Sequence, residues 1–430
     1  MKTAIKSVFA HEVYSLRGHP GIEAIVKTEN GATGVAICTA GLSVGTFEVP
    51  FKYDGGEKYN GKGVSKAAAL VNEIVAPALI GVDATKQAVV DDILIKLNSA
   101  GVKNPIGGNS TAAVSAAVLK AGAAALGLPL YQHIGGTHAT RLPVPDFSAF
   151  LGSARYGGGE RAFGKPTVEF VAYDFATFSE ASYALWEINY AWRQLLLNKY
   201  GMYTHADSPV IFDAGKFEND EQVYTLLAEV IAKCGYEGKA GIQIDCASDT
   251  YYNKEKKIYE GIFNATPKDR DDMIAYYKHL VKTLPIVILE DPLNEEDYEG
   301  TATLTNEVDI QIVGDDLFTT NAERVEKGVK AGGANCVLLK VNQVGTITQA
   351  SEMVSLAYNN GYGVMPCQSR GEGVAITDYC VGFGTGTVRG CGLFHFGNRF
   401  KEIEAELGPR AQFAGKHGLK GRRFALKNEK

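Results

Sequence analysis

The sequence predicts an α/β protein in which an N-terminal α+β domain is followed by a C-terminal βα barrel of the TIM type. Four apolar runs in the second half each end in a charged residue, at Asp245, Glu290, Asp315 and Lys340. The last three positions are separated by 25 residues twice, which is roughly one strand–loop–helix–loop unit of such a barrel. The first third of the chain lacks this rhythm.

The N-terminal part is typical of a strand meander followed by helices. Strand-like segments at 23–27 and 33–38 flank an Asn30-Gly31 pair, which predicts a β-hairpin. Apolar spacing of three and four residues predicts helical structure over 64–98. The alanine-rich stretch 109–126 predicts a tightly packed, buried helix.

A Leu-Pro-Val-Pro segment at 142–145 marks the expected domain boundary. We therefore predict an α+β domain over residues 1–140 and a barrel over residues 141–430. Beyond the boundary, strand-like runs alternate with helical stretches. The clearest predicted helices are 179–198, 220–234, 269–283 and 347–359.

Composition restricts the classes of function. The net charge of −6 and the lack of a dense basic run argue against a nucleic-acid partner. Seven cysteines without CxxC spacing favour a reducing compartment over a disulfide framework. Because no stretch has the pattern of a secretory signal or a membrane span, we expect a cytoplasmic protein without a membrane partner.

The charged strand ends also predict a chemistry. Active sites of βα barrels lie at the C-terminal ends of the strands, so Asp245, Glu290, Asp315 and Lys340 are expected at one rim. Three carboxylates suit Mg²⁺, a hard cation that takes oxygen ligands. Together with a lysine base they suggest proton abstraction next to a carboxylate and an enediolate stabilised by the metal. Each charge alone would be better explained as a turn residue, a helix cap or a solvated side chain.

Several motifs, in order along nearly the whole chain, resemble those of the enolase (phosphopyruvate hydratase) family. They include Ser15-Leu-Arg-Gly-His-Pro20, Ser43-Val-Gly45, the stretch from 308 to 317, Leu338-Leu-Lys-Val-Asn-Gln343 and Phe413-Ala-Gly415. The resemblance implies an enolase-like fold, Mg²⁺ as cofactor and a homodimer. The roles it implies are ligands of a first Mg²⁺ for Asp245, Glu290 and Asp315, a ligand of a second Mg²⁺ for Ser43, the base for Lys340, and an acid near the leaving group for Glu169.

Other positions depart from the family pattern. Ala214 stands where the family has its second catalytic glutamate, and Ala154 stands where it has a histidine. Hydroxide is a poor leaving group, so these two losses weaken the half of the site that expels it. Asp213, one position away from the lost glutamate, is a possible substitute.

The substrate-binding positions depart as well. In the phosphate-binding segment Gln368 replaces a histidine, and serine and arginine exchange order as Ser369 and Arg370. Arg389 replaces the lysine that contacts the substrate carboxylate. We expect these four residues to bind substrate, because an arginine fork suits phosphate, phosphonate and carboxylate oxygens.

Three hypotheses follow. The first is a Mg²⁺-dependent lyase of altered or reduced activity, acting on 2-phosphoglycerate or a related carboxylate that carries phosphate or phosphonate. The second is an inactive homologue with a structural or binding role, for which the aromatic stretch 183–192 would be a contact surface, although its helical spacing is more typical of core. A weaker third is another enolase-superfamily reaction, such as acid-sugar dehydration.

Overall fold

The computed structural model describes residues 2–15, 18–41, 44–152, 166–203, 205–211, 217, 219–260 and 266–425. Two hydrophobic cores form within this part of the chain. One lies in the N-terminal region and the other, much larger, fills the barrel and the space beneath its surrounding helices. The predicted α/β class is confirmed.

The strands are between 2 and 10 residues long. They are β1 (Ile5–Tyr14), β2 (Pro20–Thr28), β3 (Thr33–Cys38), β4 (Arg141–Leu142), β5 (Asp146–Leu151), β6 (Thr167–Ala172), β7 (Val210–Ile211), β8 (Ala240–Asp245), β9 (Tyr252–Asn253), β10 (Ile258–Tyr259), β11 (Ile286–Glu290), β12 (Gln311–Gly314), β13 (Cys336–Leu339), β14 (Gly363–Pro366) and β15 (Gln412–Phe413).

The α-helices alternate with the strands in the second half. They are α1 (Ser65–Leu70), α2 (Ala76–Leu79), α3 (Gln87–Leu97), α4 (Gly108–Leu126), α5 (Leu130–Gly135), α6 (Phe178–Tyr200), α7 (Asp220–Lys233), α8 (Arg270–Thr283), α9 (Tyr298–Glu307), α10 (Ala322–Ala331), α11 (Val341–Val344), α12 (Ile347–Asn359), α13 (Ala375–Gly382) and α14 (Phe394–Leu407).

In the N-terminal region an antiparallel sheet of order β1-β2-β3 packs on α4. The predicted hairpin is confirmed as β2 and β3. The approach of α4 to β3 is very close, because a Cβ on Gly34 would lie 2.0 Å from the carbonyl oxygen of Ala117. The absence of a side chain at Gly34 in β3 therefore allows the backbone of α4 to lie directly against the sheet.

The expectation of helical structure over 64–98 is only partly correct. Helix α2 ends at Leu79, and α3 begins at Gln87. Between them the chain turns at Gly81, whose φ is +82°, and bonds to the start of β1 through the N–H of Gly81 and the carbonyl of Val82. The apolar periodicity continues across this break because both helices bury a face in the same core.

The barrel sheet has the order β14-β13-β12-β11-β8-β6-β5-β7. The strands β8, β11, β12, β13 and β14 are parallel and buried along their whole length, as expected for strands covered by helices outside and side chains inside. Strand β6 is antiparallel to both β5 and β8, which departs from a uniform βα barrel.

A segment from Thr387 to Gly392 closes the sheet. Arg389 pairs with Cys367 just after β14, and Thr387 pairs with Val144 just before β5. The N–H of Gly392 then donates to the carbonyl of Asp146 at 2.8 Å. The closing segment therefore places Arg389 between the last and first strands of the barrel.

The four helices predicted beyond the boundary are confirmed as α6, α7, α8 and α12, with ends within two residues of expectation. Each begins at a residue whose side-chain oxygen accepts a backbone N–H of the first turn, the usual N-cap arrangement. These residues are Thr177, Asn219, Asp269 and Thr346.

No single helix among the described residues is long and apolar enough to cross a membrane. Helix α4 and the helical stretch Leu130–His138 satisfy the length and composition only when taken as a pair bent by 96°.

Candidate active site at the barrel rim

The four charged strand ends meet at one edge of the barrel. Asp245 and Glu290 are the last residues of β8 and β11 and are paired in the parallel register. Asp315 directly follows β12, and Lys340 directly follows β13. All four side chains are buried. The expected placement at one rim is confirmed, while the catalytic and metal-binding roles stay predictions.

Lys340 and Asp315 form a buried ion pair in which the Lys340 ammonium donates to Asp315 Oδ2. Gln343 donates to the other oxygen of Asp315 at 2.8 Å. Burial alone would raise the pKa of Asp315, but the Lys340 charge, followed by that of Arg370, outweighs it and lowers the pKa. Burial opposes the Lys340 charge, yet Asp315 raises the pKa of Lys340 overall. The ion pair with Asp315 therefore favours the ammonium form of Lys340.

Arg389 reaches the same rim from the closing segment and contacts three carboxylates. Its Nη1 donates to Glu290 Oε1 at 2.7 Å, and its Nη2 donates to Asp245 Oδ2 at 2.7 Å. Glu169, on β6, accepts from Nη2 at 3.2 Å. Burial raises the pKa of Glu290 well above its usual value; Arg389 opposes this rise, and Asp245 and Asp315 add to it.

Arg370 forms a second buried ion pair, with Glu48 of the N-terminal region. Its Nη1 and Nη2 donate to the two oxygens of Glu48 at 2.8 and 2.6 Å. The Glu48 carboxylate also accepts the N–H of Gly45 at 3.1 Å. The ion pair thus holds the chain around residues 45–48 against the barrel rim.

A second acidic residue follows each of two strand-end carboxylates. Asp291 follows Glu290 and accepts the backbone N–H groups of Asp315 and Asp316 at 2.9 and 2.8 Å. Both oxygens of Asp291 therefore have a structural role, since they fix the loop that carries Asp315.

Asp316, which follows Asp315, is also buried. Burial, with a contribution from Asp315, raises the pKa of Asp316 to about 8.

The arrangement of carboxylates bears on metal binding. Among the described residues, only Asp291, Asp315 and Asp316 each bring a carboxylate oxygen within 4.8 Å of the others. The predicted trio of Asp245, Glu290 and Asp315 stays outside this limit. Its oxygens are nevertheless hard donors on adjacent strand ends, which suit a divalent ion. The carboxylate oxygens of the trio are therefore suitable ligands for a divalent metal. Their spacing in this structure matches the Arg389 guanidinium, which lies between Asp245 and Glu290.

The remaining predicted residues have different outcomes. Gln368 and Ser369 lie half-buried in the turn after β14, and their binding roles stay predictions, as do those of Arg370 and Arg389. Ser43, Ala154 and the segment with Asp213 and Ala214 lie outside the described residues.

Sequence reasoning missed several polar residues of the site: Glu48, Gln343, Asp291 and Asp316. The doubled acids Glu290-Asp291 and Asp315-Asp316 were a visible sign, since two adjacent carboxylates at a buried strand end need partners. Glu48 had no such sign, because its partner lies 322 residues away in the chain.

Comparisons with known proteins agree with this architecture. Residues 5–134 match the family described as "Enolase, N-terminal domain", and residues 139–422 match "Enolase, C-terminal TIM barrel domain". Enolase from Methanopyrus kandleri is 38% identical over 427 residues, which cover 95% of this chain and 97% of that protein. Enolase from Bifidobacterium longum is 37% identical over 431 residues, covering 97% and 98%. Enolase from Methanocaldococcus jannaschii is 36% identical over 425 residues, covering 96% and 97%.

Proposed function

This chain belongs to the enolase family, and we propose that it is a Mg²⁺-dependent hydro-lyase of reduced or altered activity. The observation that carries the proposal is the gathering of Asp245, Glu290, Asp315 and Lys340 at one buried rim. The proposed substrate is 2-phosphoglycerate or a related small carboxylate that carries phosphate or phosphonate. Its products would be an enol phosphate, or the corresponding phosphonate, and water.

Asp245, Glu290 and Asp315 would hold the divalent ion, with Ser43 as an expected ligand of a second one. When bound, the ion supplies positive charge that stabilises the negative charge developing on the substrate carboxylate. Every other part of the chemistry belongs to side chains of the chain itself.

Lys340 would accept the proton from the carbon next to the substrate carboxylate. In the described arrangement it carries its own proton and is paired with Asp315. It can act as a base only after this ion pair separates and the ammonium loses a proton. The burial of Lys340 favours that loss, because a neutral amine is easier to bury than an ammonium.

Glu169 is the proposed acid that helps the hydroxyl group leave. It is buried on β6 and lies beside Arg389. With alanine at 154 and 214, Glu169 is the family-matched acid that remains, so proton abstraction is expected to survive better than elimination. We propose reduced activity for this reason.

The assignments of substrate, location and assembly have weaker support. Arg370 and Arg389 offer the positive charge that an anionic substrate needs. All seven cysteines are free thiols, which is consistent with the proposed cytoplasmic location. The proposed homodimer follows from family membership alone.

The test separates proton abstraction from elimination. In D₂O with Mg²⁺, NMR would follow exchange of the proton next to the carboxylate of 2-phosphoglycerate, while a coupled assay follows phosphoenolpyruvate. We expect exchange to exceed product formation in the unchanged chain, Lys340→Ala to abolish both, and Ala214→Glu to raise product formation. Lys330→Ala, which removes an exposed lysine from α10, is the control and should change neither.

One observation favours the second hypothesis of a structural or binding role. Tyr183, Trp186 and Tyr190 form an exposed stack on α6, with ring centroids 6.1 and 5.8 Å apart. The interpretation of this stretch as core is therefore wrong for these three residues and correct for Trp192, which is fully buried. Absence of exchange with the unchanged chain, when an active enolase exchanges under the same conditions, would favour the non-catalytic role.

A further inference from the structure

Arg389 occupies the space between two of the three carboxylates that would bind a divalent ion. Its side chain is 11% exposed and enters the barrel from the closing segment. The position is fixed by the backbone, because the N–H of Arg389 donates to the carbonyl of Pro366 at 2.9 Å. The guanidinium thus extends to the rim from the closing segment, which is part of the barrel sheet.

The contacts match the shape of a guanidinium. Nη1 donates a hydrogen bond to Glu290 and Nη2 donates one to Asp245, each at 2.7 Å. Two nitrogens of one planar group thus bridge two adjacent strand ends. Asp245 and Glu290 are register partners of β8 and β11. A lysine ammonium at position 389 would be a single point charge and could not place separate nitrogens on the two carboxylates in this way.

The charges are unequal. Arg389 contributes one positive charge to three carboxylates, those of Glu169, Asp245 and Glu290. When Asp245 and Glu290 are both ionised, they carry one negative charge more than the guanidinium neutralises, so the pair still attracts a cation. Asp315, the third proposed metal ligand, is bound instead by Lys340 and Gln343.

We propose that Arg389 is an internal cation that competes with the divalent ion for Asp245 and Glu290. An ion can use both carboxylates together with Asp315 only after the guanidinium leaves at least one of them. Arg389 thereby lowers the affinity of the protein for the metal. In the metal-free protein its positive charge stabilises the buried carboxylates. This inference rests on the proposed metal site, but it concerns the affinity of that site and not the turnover.

The first test is titration of Mn²⁺ alone, followed by calorimetry and by the spin-resonance signal of free Mn²⁺. Arg389→Met should bind Mn²⁺ at least tenfold more tightly than the unchanged chain, and Arg389→Lys should lie between the two. Arg422→Met, which removes an exposed arginine paired with Asp309, is the matched control and should leave the affinity unchanged. Equal affinities for Arg389→Met, Arg389→Lys and the unchanged chain would overturn the proposal.

Arg389→Met leaves buried carboxylates without a cation and is a candidate for misfolding. A second test therefore uses the unchanged chain. Crystals grown with and without Mn²⁺ should show the ion at Asp245, Glu290 and Asp315, with the guanidinium displaced from at least one carboxylate. An ion on those three ligands with both 2.7 Å contacts intact would contradict the proposal, as would a failure of Mn²⁺ to bind there.

The outcome is distinguishable from that of the proposed function. Tighter Mn²⁺ binding by Arg389→Met, together with no proton exchange by the unchanged chain, would support the internal cation and reject the lyase. Proton exchange in the unchanged chain with equal Mn²⁺ affinities would do the reverse.

Discussion

Breaking the buried ion pair between Arg370 and Glu48 should destabilise the protein strongly. The two side chains are 2% and 3% exposed, so little water can replace the lost contact. Arg370→Met would leave Glu48 Oε2 without the donor that it has at 2.8 Å, and would leave the carboxylate charge buried. Removal of one partner from such a pair costs about 3–5 kcal/mol. A Coulomb energy of about 4 kcal/mol at 4 Å and an effective dielectric constant of about 20 gives the same size.

The double variant Glu48→Gln/Arg370→Met should recover much of this loss. A neutral glutamine can still accept the N–H of Gly45, and no uncompensated charge remains at position 48. Replacement of a buried pair by uncharged groups is often close to neutral, so we expect the double variant to lie within about 1–2 kcal/mol of the unchanged chain.

Urea unfolding followed by circular dichroism measures these differences. Arg422→Met is the control, because its partner Asp309 is 51% exposed and the pair is solvated; its cost should stay below about 1 kcal/mol. The reasoning would be refuted if Arg370→Met cost no more than Arg422→Met, or if the double variant were no more stable than Arg370→Met.

Three further predictions concern stability. Gly34→Ala should cost at least about 2 kcal/mol in urea unfolding, because its Cβ would lie 2.0 Å from a backbone oxygen of α4; an unchanged midpoint would contradict the packing. Burial, then Glu295, raises the pKa of Asp249 from 3.8 to about 6, so its contribution to stability is present below about pH 4 and lost as the pH rises to about 6. The free energy of unfolding of Asp249→Asn, taken relative to that of the unchanged chain, should therefore rise by up to about 3 kcal/mol between pH 4 and 7. If the two free energies change in parallel with pH, this prediction is wrong. Thr177→Ala should cost about 1 kcal/mol by removing the N-cap of α6, whereas Thr177→Ser should not.

The elements could be predicted from sequence where local physics decides them. The starts of the four barrel helices were predicted to within one residue, and a capping side chain precedes each of them. The four charged strand ends were found because buried parallel strands are continuous apolar runs that stop at the rim. The helical prediction over 64–98 failed where Gly81 allows the chain to leave the helix and bond to β1, and a glycine inside a helical pattern was the available warning.

The pairing of charges could not be predicted in the same way. Arg389 contacts Asp245 and Glu290 across 144 and 99 residues, and Arg370 contacts Glu48 across 322 residues. Which charges form pairs depends on how the closing segment joins β14 to β5 and on where the N-terminal region contacts the rim. The family resemblance gave both arginines a role toward substrate, but it contained no information about which carboxylates they meet in the free protein.

Those pairings have a consequence for how ligands bind. At the proposed substrate and metal sites, an anionic group that attracts Arg370 would compete with Glu48, and a divalent cation would compete with Arg389 for Asp245 and Glu290. Each ligand frees a charge of the same sign as its own: the anion frees a carboxylate at Glu48, and the cation frees the guanidinium of Arg389. The freed carboxylate increases the negative charge at the rim and favours the cation, while the freed guanidinium is available to the anion. Binding of the two ligands should therefore be mutually reinforcing, and by linkage the factor by which a phosphate-bearing acid tightens Mn²⁺ binding must equal the factor by which Mn²⁺ tightens binding of the acid.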